Sequence, residues 1–524
     1  MIDGAMIEQL REYMKRLEKP VGIRLCDKPH DKKDELREML EAVSSTSDKI
    51  SMSVENLPLR SGVSFDITSE GKPTGIQFSG IPGGHEFTSF ILAILQSGGV
   101  PLKLDEGIQN VLKAFPQKMN FETVVSLSCH NCPEVVQALN QFCLLNPEVT
   151  HEMIDGGLFP ELIEERKIQG VPTVYLNDKQ FSSGKMEISD IIGKIKEIYP
   201  DSEVKVSQPT STELYDVTII GGGPAGVSSA IYSARKGLNV LLIADRLGGQ
   251  VRDTMDIENM ISVVRTTGPE LSNSMEDHLM KYPVKIRKNL RVTGIRNTES
   301  TKFISLNTGE EIQTKTIIVA TGAKWRELGV PGEKENIGNG VAYCPHCDGP
   351  FFKNKDVIVV GGGNSGIEAA LDLSGIVKSV TVLEFLPDVK ADKILVDRAR
   401  STSNIQIKTN IQSKEITTEN GKVNALKYID RSNQSEGEFQ TDGIFIQIGL
   451  IPNSGFLGDV VNKNKFGEIL IDDRCKTNVP GIFACGDVTT VPYKQIVISM
   501  GEGAKAALSA FEYILMHTDK AKVA

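Results

Sequence analysis

The spacing of apolar residues along the chain predicts alternating strands and helices. Near the N-terminus, Met6, Leu10, Met14 and Leu17 recur at intervals of three or four before Pro20, which predicts an amphipathic helix. Short apolar runs that end in glycine, proline or polar residues follow, and they predict buried strands. Strand and helix signals that alternate in this way are typical of an α/β fold.

Two stretches before residue 200 follow one plan, with a strand, a helix and then a Gly-x-Pro segment followed by strand-like and helical residues. The first contains ISMSVE, SGVSFDITS and GIPGGHEFTSFILAIL, and the second contains FETVVSLSC, VTHEMID, GVPTVYLN and MEISDIIGKI. The following segment, 191–214, becomes rich in Pro, Ser, Thr and charge, which indicates an exposed connection. We therefore expect an internal repeat, in which the first copy braces the second.

Two further apolar runs each end in a glycine cluster that opens a helix-like segment. Strand, glycine turn and helix in this order form the dinucleotide-binding fingerprint, in which backbone N–H groups and a helix N-terminus approach a pyrophosphate. Glycines that serve only a tight turn are the alternative, and the double occurrence argues against it. The predicted residues are Gly221, Gly223, Pro224, Ala225 and Gly226 in the first cluster and Gly361, Gly363, Asn364, Ser365 and Gly366 in the second.

Each fingerprint should be followed, about 20 residues on, by an acid that accepts hydrogen bonds from a ribose hydroxyl. Asp245 ends the run VLLIAD, and Glu384 follows SVTVL. A carboxylate repels a 2'-phosphate, and the next residues offer Lys390 but no arginine cluster, so NADH is favoured over NADPH. Chance surface acidity is the alternative for Glu384.

One of the two nucleotides is expected to be a flavin, because a reductase with cysteine pairs must divide a hydride's electrons among other acceptors. Gly and Asp at a strand end can set a carboxylate against a ribityl chain, although Asp487 could instead be a simple helix cap. The further residues expected to contact the flavin are Gly249, Gln250, Asn259, Ala320, Thr321, Gly322, Gly486, Asp487, Gln495 and Ile496.

Two Cys-x-x-Cys pairs stand in different contexts. Cys129 and Cys132 follow a predicted strand and open a helix-like segment, where the helix dipole and N–H donors lower a thiol pKa. We therefore predict Cys129 as a nucleophile and Cys132 as its resolving partner. Cys344 and Cys347 lie just before the second glycine cluster.

A structural four-cysteine zinc site, with His130 and His346 as extra ligands, is the alternative use of these pairs. Zinc pairs usually belong to one small module, whereas a complete fingerprint separates these two, so we predict no metal. The remaining cysteines lack partners at useful spacing and are expected to be core thiols, with Cys485 nearest to the flavin: Cys26, Cys143, Cys475 and Cys485.

Composition excludes several classes of function for the 524 residues. Lys and Arg number 58 against 68 Asp and Glu, and the net charge of −10 disfavours nucleic acid as a partner. A membrane-spanning helix would need about 18 consecutive apolar residues, and no such run occurs. The N-terminus has no signal-peptide pattern, so we expect a cytoplasmic protein whose cysteine pairs serve redox chemistry.

These motifs resemble the pyridine nucleotide disulfide oxidoreductases of the low-molecular-weight thioredoxin reductase type. With the N-terminal CHNC half, the whole chain is similar to the flavoprotein subunits of bacterial alkyl hydroperoxide reductases, through SCHNCPEVVQALN, YCPHCDGP, GGGNSGIEAALDL and MGEGAKAALSAF. The resemblance implies tandem thioredoxin-like folds followed by two Rossmann-like dinucleotide-binding domains, the second inserted in the first. The implied boundaries are 1–102 and 103–199 for the thioredoxin-like folds, 200–212 for a linker, 213–330 and 452–524 for the FAD domain, and 331–451 for the NAD domain.

The resemblance also implies an NADH-dependent peroxiredoxin reductase that forms a homodimer. Electrons would pass from NADH through FAD and both cysteine pairs to a separate peroxiredoxin. Cys347 would face the flavin, Cys344 would attack the disulfide of Cys129 and Cys132, and Asp348 would protonate the leaving thiolate. The inserted domain would rotate on hinges near 330 and 451, because both the nicotinamide and the CPHC pair must reach one flavin. The linker would also be mobile, so that the CHNC pair can meet the CPHC pair.

Further expectations concern the surroundings of CHNC and the reaction class. A thioredoxin-like fold places a cis-proline opposite the cysteines, and Val171–Pro172 stands in the expected order. His85 and Glu86 fit a segment near CHNC in the first half, and a surface or capping carboxylate is the alternative for Glu86. An NADH oxidase that makes hydrogen peroxide directly is the second enzyme hypothesis, whereas a redox-sensing or zinc scaffold leaves both fingerprints unused.

Overall fold

The computed structural model describes residues 4–129, 131–168, 170–200, 213–254, 257–298, 301–419 and 422–518. The chain divides into two compact units, the first formed by Met1–Pro209 with Asn289–Arg291 and Asn307–Glu310, and the second by the remainder. The expectations for the linker residues 201–212, for His130 and for the side chains of His346 and Cys347 lie outside the described part.

The first unit consists of eight strands and seven α-helices in its described residues. The strands are β1 Val21–Cys26, β2 Ile50–Glu55, β3 Ser64–Ser69, β4 Lys72–Ser79, β5 Met119–Val125, β6 Val149–Asp155, β7 Thr173–Leu176 and β8 Lys179–Ser183. The helices are α1 Gly4–Met14, α2 Lys33–Ser44, α3 Phe87–Ser97, α4 Glu106–Ala114, α5 Cys132–Leu145, α6 Pro160–Glu165 and α7 Ile188–Ile198.

The internal repeat expected from the sequence is present in this unit. All eight strands form one sheet in the order β2-β1-β3-β4-β6-β5-β7-β8, so the arrangement β2-β1-β3-β4 recurs as β6-β5-β7-β8. In each copy the first pair is parallel and the next two pairs are antiparallel. The copies join through parallel pairing of β4 with β6, which makes one continuous sheet.

The N-terminal helix is shorter than the apolar spacing predicts. Helix α1 ends at Met14, although Leu17 is buried as the spacing requires. The reason is a competing backbone contact, since the N–H groups of Glu18 and Lys19 both donate to the Gly98 carbonyl, at 2.8 and 3.0 Å. The chain therefore leaves the helix before Pro20 to meet the end of α3.

The second unit holds seventeen strands and six α-helices in its described residues. The strands are β9 Leu214–Ile220, β10 Val240–Ile243, β11 Val284–Arg287, β12 Val292–Asn297, β13 Lys302–Leu306, β14 Glu311–Val319, β15 Ala323–Trp325, β16 Val341–Ala342, β17 Asp356–Val360, β18 Ser379–Leu383, β19 Ile405–Lys408, β20 Ile411–Glu419, β21 Lys422–Asp430, β22 Ser435–Gln440, β23 Gly443–Ile446, β24 Leu450–Pro452 and β25 Ile482–Ala484. The helices are α8 Pro224–Arg235, α9 Gly268–Leu279, α10 Pro345–Asp348, α11 Asn364–Ser374, α12 Lys393–Ser401 and α13 Ile496–Thr518.

Two parallel sheets organise this unit. In one, β11-β10-β9-β14 are parallel, β25 pairs with β14, and β13 and β12 continue as antiparallel strands. In the other, β16-β23-β17-β18-β19 are all parallel. Between them the chain leaves through β15 and returns through β24, and these two strands pair antiparallel. The second sheet is therefore carried by a segment inserted into the first fold.

Strand–turn–helix connections place both glycine clusters at the carboxyl ends of parallel strands. Helix α8 follows β9, and α11 follows β17, each after the glycine turn that the sequence predicts. Apolar side chains of α8 and of the long C-terminal helix α13 share one core with the first sheet. Among the described helices, none combines the length and hydropathy needed to cross a bilayer.

A cluster of four charged side chains joins the two halves of the first unit. Arg60 donates to both carboxylate oxygens of Glu152, at 2.8 and 2.7 Å, and also to Glu122. Arg166 donates to the other oxygen of Glu122 at 2.6 Å. Because Arg60 precedes β3 whereas both glutamates lie on strands of the second copy, the cluster ties the copies together.

We expect Arg60→Met to weaken the first unit by about 2 kcal/mol, because it leaves two largely buried carboxylates without their shared cation. Hydrogen exchange of the β5 and β6 amides measures this loss. Arg37→Met, which breaks an exposed pair with Glu41 one helical turn away, is the matched control and should change exchange little. Equal protection in the Arg60 variant and the parent would contradict the stabilising role of the cluster.

Candidate active site

The first glycine turn holds a helix N-terminus close to a strand end. Gly221 has φ +118°, and a Cβ there would lie 2.2 Å from the Ala320 carbonyl oxygen. A Cβ on Gly226 would lie 1.9 Å from the Gly221 carbonyl oxygen, so this glycine serves helix packing rather than contact with a phosphate. Gly223 has only the Gly249 Cα within 4 Å of such a Cβ, which leaves the N-terminus of α8 accessible to an anion.

Helix α13 and the turn after β25 complete this cradle around Ala225. A Cβ on Gly486, which has φ +73°, would lie 2.9 Å from the Ala225 side chain, and one on Gly503 would lie 2.2 Å from the Ala225 carbonyl oxygen. Close packing of this kind requires glycine at both places. Gly503 was missed by sequence reasoning, because it lies inside a helix without a local turn signal.

Asp487 is partly buried beside Ser499, whose hydroxyl donates to its carboxylate at 2.9 Å. Burial raises the pKa of Asp487 above its usual value. Ser499 was not predicted, since its role depends on how α13 packs. The Asp487 carboxylate is therefore held in place by a side chain rather than serving as an ordinary exposed helix cap.

The other residues expected around a flavin lie on neighbouring loops. Asn259 donates from its side-chain amide to Gln495 at 3.2 Å, so two segments far apart in sequence meet. Thr321 and Asn453 exchange two hydrogen bonds, at 2.8 and 2.9 Å, and Asn453 was not predicted. Of the remaining predicted residues, Asp245 lies just after β10, and Gly249 and Gln250 lie in a short 3-10 helix. Ala320 and Gly322 follow β14, and Ile496 begins α13.

The second glycine turn repeats the first in the inserted segment. Gly361 has φ +123° and its Cβ would lie 2.3 Å from the Gln447 carbonyl oxygen, while a Cβ on Gly366 would lie 1.9 Å from the Gly361 carbonyl oxygen. Nothing lies within 4 Å of a Cβ on Gly363. The N-terminus of α11, which begins with Asn364 and Ser365, is thus open in the same way as that of α8.

Glu384 is buried, at 8% exposure, so it is not a chance surface acid. Its carboxylate accepts hydrogen bonds from the N–H groups of Gly362 and Leu386, at 2.7 and 2.8 Å. Asn364 exchanges two hydrogen bonds with Asp392, at 3.0 and 2.8 Å, and this partner was not foreseen. The carboxylate and the glycine turn are therefore one preformed assembly.

Cys129 and Cys132 form a disulfide at the start of α5, with their Cα atoms 5.6 Å apart. Cys132 is fully buried, whereas Cys129 is partly exposed, which leaves the Cys129 sulfur as the accessible one. The Cys132 N–H points at the Cys129 sulfur from 3.2 Å, and the carbonyl of Val171 lies 3.8 Å away, before a cis Pro172. An N–H donor at a helix start favours a thiolate at this sulfur.

Glu86 lies beside the loop that leads to Cys129. The N–H of His85 donates to the Leu127 carbonyl at 3.0 Å, and a Cβ on Gly84 would lie 2.4 Å from the same oxygen. Glu86 is fully buried, and within the described part of the chain its carboxyl oxygens have no hydrogen-bond partner of good geometry. Burial raises its pKa to about 7. Glu86 is not a surface carboxylate, and although it stands at the N-cap of α3, its side chain makes no capping hydrogen bond.

The second cysteine pair begins at the short helix α10. Cys344 is disulfide-bonded and stands at the N-cap of this helix, and the Asp348 N–H donates to its carbonyl at 2.9 Å. Burial raises the pKa of Asp348 to about 6, against the opposing hydrogen bond from the Cys344 N–H. A partly buried carboxyl one helical turn from Cys344 can hold and deliver a proton near neutral pH.

The other cysteines are buried free thiols, namely Cys26, Cys143, Cys475 and Cys485. Cys129 and Cys132 are joined to each other rather than presenting the two thiolates that zinc requires. Among the described residues, no group of three or more His, Cys, Asp or Glu side chains could hold a metal ion.

The chain matches two family models, a pyridine nucleotide-disulphide oxidoreductase over residues 215–503 and a thioredoxin domain over residues 119–197. An alkyl hydroperoxide reductase subunit of Staphylococcus aureus strain MRSA252 is 47% identical over 515 residues, which cover 98% of this chain and 100% of that protein. A Bacillus subtilis strain 168 protein named NADH dehydrogenase is 45% identical over 515 residues, covering 98% and 99%. The chain belongs to the pyridine nucleotide-disulphide oxidoreductase family.

Two solved thioredoxin reductases share the fold over part of this chain. Thioredoxin reductase from Streptococcus pyogenes MGAS5005 is 37% identical and covers 58% of this chain and 100% of its own, with a TM-score of 0.56. Thioredoxin reductase from Giardia duodenalis is 28% identical with the same coverage and a TM-score of 0.56. The predicted α/β fold class, with thioredoxin-like folds followed by dinucleotide-binding domains, is confirmed. The chain is an oxidoreductase that uses a flavin and a pyridine nucleotide.

We expect Glu86→Gln to remove a pH-dependent instability of the first unit. The folded-state pKa of about 7 lies above the ordinary 4.5, so in the parent protein stability is full below pH 4.5 and declines as pH rises to 7. At pH 8 the variant should be more stable by about 3 kcal/mol, a difference that vanishes at pH 4.

Hydrogen exchange of α3 and α5 at several pH values measures this effect. Glu161→Gln, at an exposed position in the same unit, is the matched control and should show no such trend. A pH-independent difference between parent and Glu86→Gln would show that the carboxyl does not titrate in the buried site.

Proposed function

We propose that the protein is an NADH-dependent, FAD-containing peroxiredoxin reductase that supports hydroperoxide reduction and defence against oxidative stress. The observation that carries the proposal is a pair of disulfide sites, at Cys129 with Cys132 and at Cys344, in a chain with two open glycine turns. The name of the Staphylococcus aureus relative supports a hydroperoxide-linked role, and its description as one subunit of a reductase supports a separate peroxidase partner.

The first glycine turn is proposed to hold FAD and the second to hold NADH. At the first turn, the N-terminus of α8 would face the pyrophosphate, and Asp487 would face the ribityl chain. At the second, the buried Glu384 carboxylate supports NADH over NADPH, because a 2'-phosphate beside it would be repelled. When bound, FAD would provide the hydride acceptor for NADH and the electron pair for disulfide reduction.

The two cysteine pairs are proposed to act in series by thiol–disulfide exchange. Once reduced, the Cys344 thiolate attacks the Cys129–Cys132 disulfide, Cys347 closes on Cys344, and the outer pair is released as a dithiol. The Cys129 thiolate then attacks the peroxiredoxin disulfide, and Cys132 resolves that mixed disulfide. Each exchange moves two electrons outward and needs one proton for the leaving thiolate, and we propose that Asp348 supplies this proton at the inner pair.

The proposed relay is tested by replacing Cys129 and Cys132 with Ser. Peroxide turnover with a partner peroxiredoxin should fall by at least about a hundredfold, because no other sulfur couple replaces the outer pair, while NADH still bleaches the flavin. Cys143→Ala, which removes a buried free thiol of the same helix, is the matched control. Unchanged peroxiredoxin-dependent turnover in the double variant would refute the electron path.

A proton-delivery role of Asp348 predicts a pH dependence. With its pKa near 6, the carboxyl carries the proton below that pH and loses it above, so the exchange rate should fall tenfold per pH unit well above pH 6. Asp348→Asn should slow exchange by about a hundredfold and abolish this limb. Pre-steady-state kinetics against pH measure both effects, with Asp459→Asn, at an exposed position, as the control. An Asp348→Asn profile that keeps the limb would assign it to another group.

Direct NADH oxidation in air is the second candidate, because the Bacillus subtilis relative bears the name NADH dehydrogenase. The double serine variant separates the two candidates. Under the proposed function, NADH oxidation by oxygen survives as a slow side reaction while peroxiredoxin reduction stops. Under the second candidate, the full NADH turnover of the parent persists in the variant and yields one hydrogen peroxide per NADH.

We also propose a homodimer in the cytoplasm. The loop of Ile261 and Val264 and the segment of Tyr493 expose large apolar side chains, at 73%, 93% and 74%, and the Asn259–Gln495 hydrogen bond brings both segments together. Exposed apolar surface of this kind supports burial against a second copy. The four free thiols support a reducing compartment, where NADH is also available.

The domain boundaries and hinges of the sequence analysis remain proposals. Pairing of β15 with β24 supports passage between the FAD and NAD segments at 323–325 and 450–452. The N–H groups of Leu328 and Gly329 donate to Glu333 and constrain the backbone around residue 330. This constraint favours rotation of the inserted segment about β15 and β24 over a hinge near 330. The thioredoxin-like boundaries, 1–102 and 103–199, are supported by the recurrence of one strand order in the first unit.

A further inference from the structure

Tyr343, the residue directly before Cys344, makes three separate contacts. Its hydroxyl donates to the Glu333 carboxylate at 2.7 Å, its carbonyl accepts from the Gln447 side-chain amide at 2.7 Å, and its ring stacks on Trp325 with 6.0 Å between centroids and 21° between planes. These contacts involve the side chain and the backbone of Tyr343, and they come from three different residues. The backbone on the N-terminal side of the redox sulfur is therefore held from three directions.

Glu333 is an unusually constrained partner. It is 1% exposed, and its two carboxylate oxygens accept from the N–H groups of Leu328 and Gly329, at 2.7 and 2.6 Å. A buried carboxylate with three donors is strongly ordered, because each lost donor would leave a buried charge less satisfied. Glu333 thus ties the segment after β15 to Tyr343.

The other two contacts reach the same crossover. Trp325 is the last residue of β15 and pairs with Leu450 of β24, and the N–H of Arg326 donates to the Gly449 carbonyl at 3.0 Å. Gln447 directly follows β23, two residues before that carbonyl. Both strands that enter and leave the inserted segment are consequently connected to Tyr343.

We propose that Tyr343 is a positioning residue that couples the paired strands β15 and β24 to the reactive sulfur of Cys344. The coupling rests on the proposed function, since it concerns delivery of electrons to that disulfide. Its hydroxyl, through Glu333, sets the path of residues 328–333, while its ring follows Trp325. Any change in the paired strands is transmitted to the residue that precedes Cys344, so the approach of the Cys344 disulfide to the flavin depends on this contact set.

The test separates the two halves of the reaction in the intact holoenzyme. Tyr343→Phe removes only the hydroxyl and keeps the ring on Trp325. In anaerobic rapid mixing, NADH should reduce the flavin within twofold of the parent rate. Transfer from the reduced flavin to the disulfides, followed with dithiobis(nitrobenzoate) as the terminal disulfide, should slow about tenfold, equivalent to about 1.4 kcal/mol at the barrier.

Two further variants make the outcome specific. Glu333→Gln, which places an amide against three donors, should slow the same step, and the double variant should be no slower than the worse single one, since both act through one hydrogen bond. Tyr428→Phe, which removes a tyrosine hydroxyl from β21 in the same inserted segment, is the matched control. Trp325 is the only tryptophan, so unchanged emission verifies that its stacking on residue 343 persists.

Several outcomes would overturn the inference. An unchanged transfer step in Tyr343→Phe would remove the positioning role, and an equal fall in both steps with a lower melting temperature would mean that the tyrosine is merely structural. A parent protein whose disulfides take no electrons from the flavin would refute the proposed function and this inference together. If the parent transfers electrons to the small disulfide but does not reduce peroxiredoxin, only the proposal that peroxiredoxin is its partner would be refuted.

Discussion

Two backbone contacts of the same kind organise the nucleotide-binding half of the protein. At Gly226 and at Gly366 a helix touches the carbonyl oxygen of the preceding turn so closely that a Cβ would lie 1.9 Å from it. This closeness draws each helix N-terminus to the carboxyl end of a parallel strand, where its N–H groups stay accessible. The contacts leave each helix N-terminus at one edge of its sheet, where a nucleotide can approach.

A carboxyl group lies near each cysteine pair, fully buried at Glu86 and partly buried at Asp348. Asp348 lies one turn from Cys344 and its pKa is raised to about 6, and Glu86 lies against the loop that leads to Cys129 with its pKa raised to about 7. Burial is the main cause in each case. A carboxyl that retains its proton near neutral pH is a suitable partner for thiol–disulfide exchange, which alternately releases and consumes a proton at sulfur. The two sites therefore present a similar combination of sulfur and carboxyl groups in different folds.

Local patterns predicted much of this arrangement, and long-range side-chain partners account for what they missed. Glycine turns, the repeated succession of strands and helices along the chain, and the cysteine pairs follow from short segments with fixed spacing. The bond between Ser499 and Asp487 depends on how α13 packs, and Arg60 meets Glu152 across 92 residues of sequence through the pairing of β4 with β6. Helix α1 shows the converse error, since a carbonyl at Gly98 ends it before the apolar spacing does.

The first thioredoxin-like copy repeats the strand order of the second but has no Cys-x-x-Cys pair. Its contribution is instead visible in the contacts it makes with the second copy. It continues the sheet through β4, provides Arg60 to two glutamates of the neighbouring strands, and brings the buried Glu86 beside the Cys129 loop. An isolated second copy would present the edge of β6 to solvent and leave Glu122 and Glu152 without Arg60. The copy without a Cys-x-x-Cys pair therefore stabilises the sheet of the copy that has one.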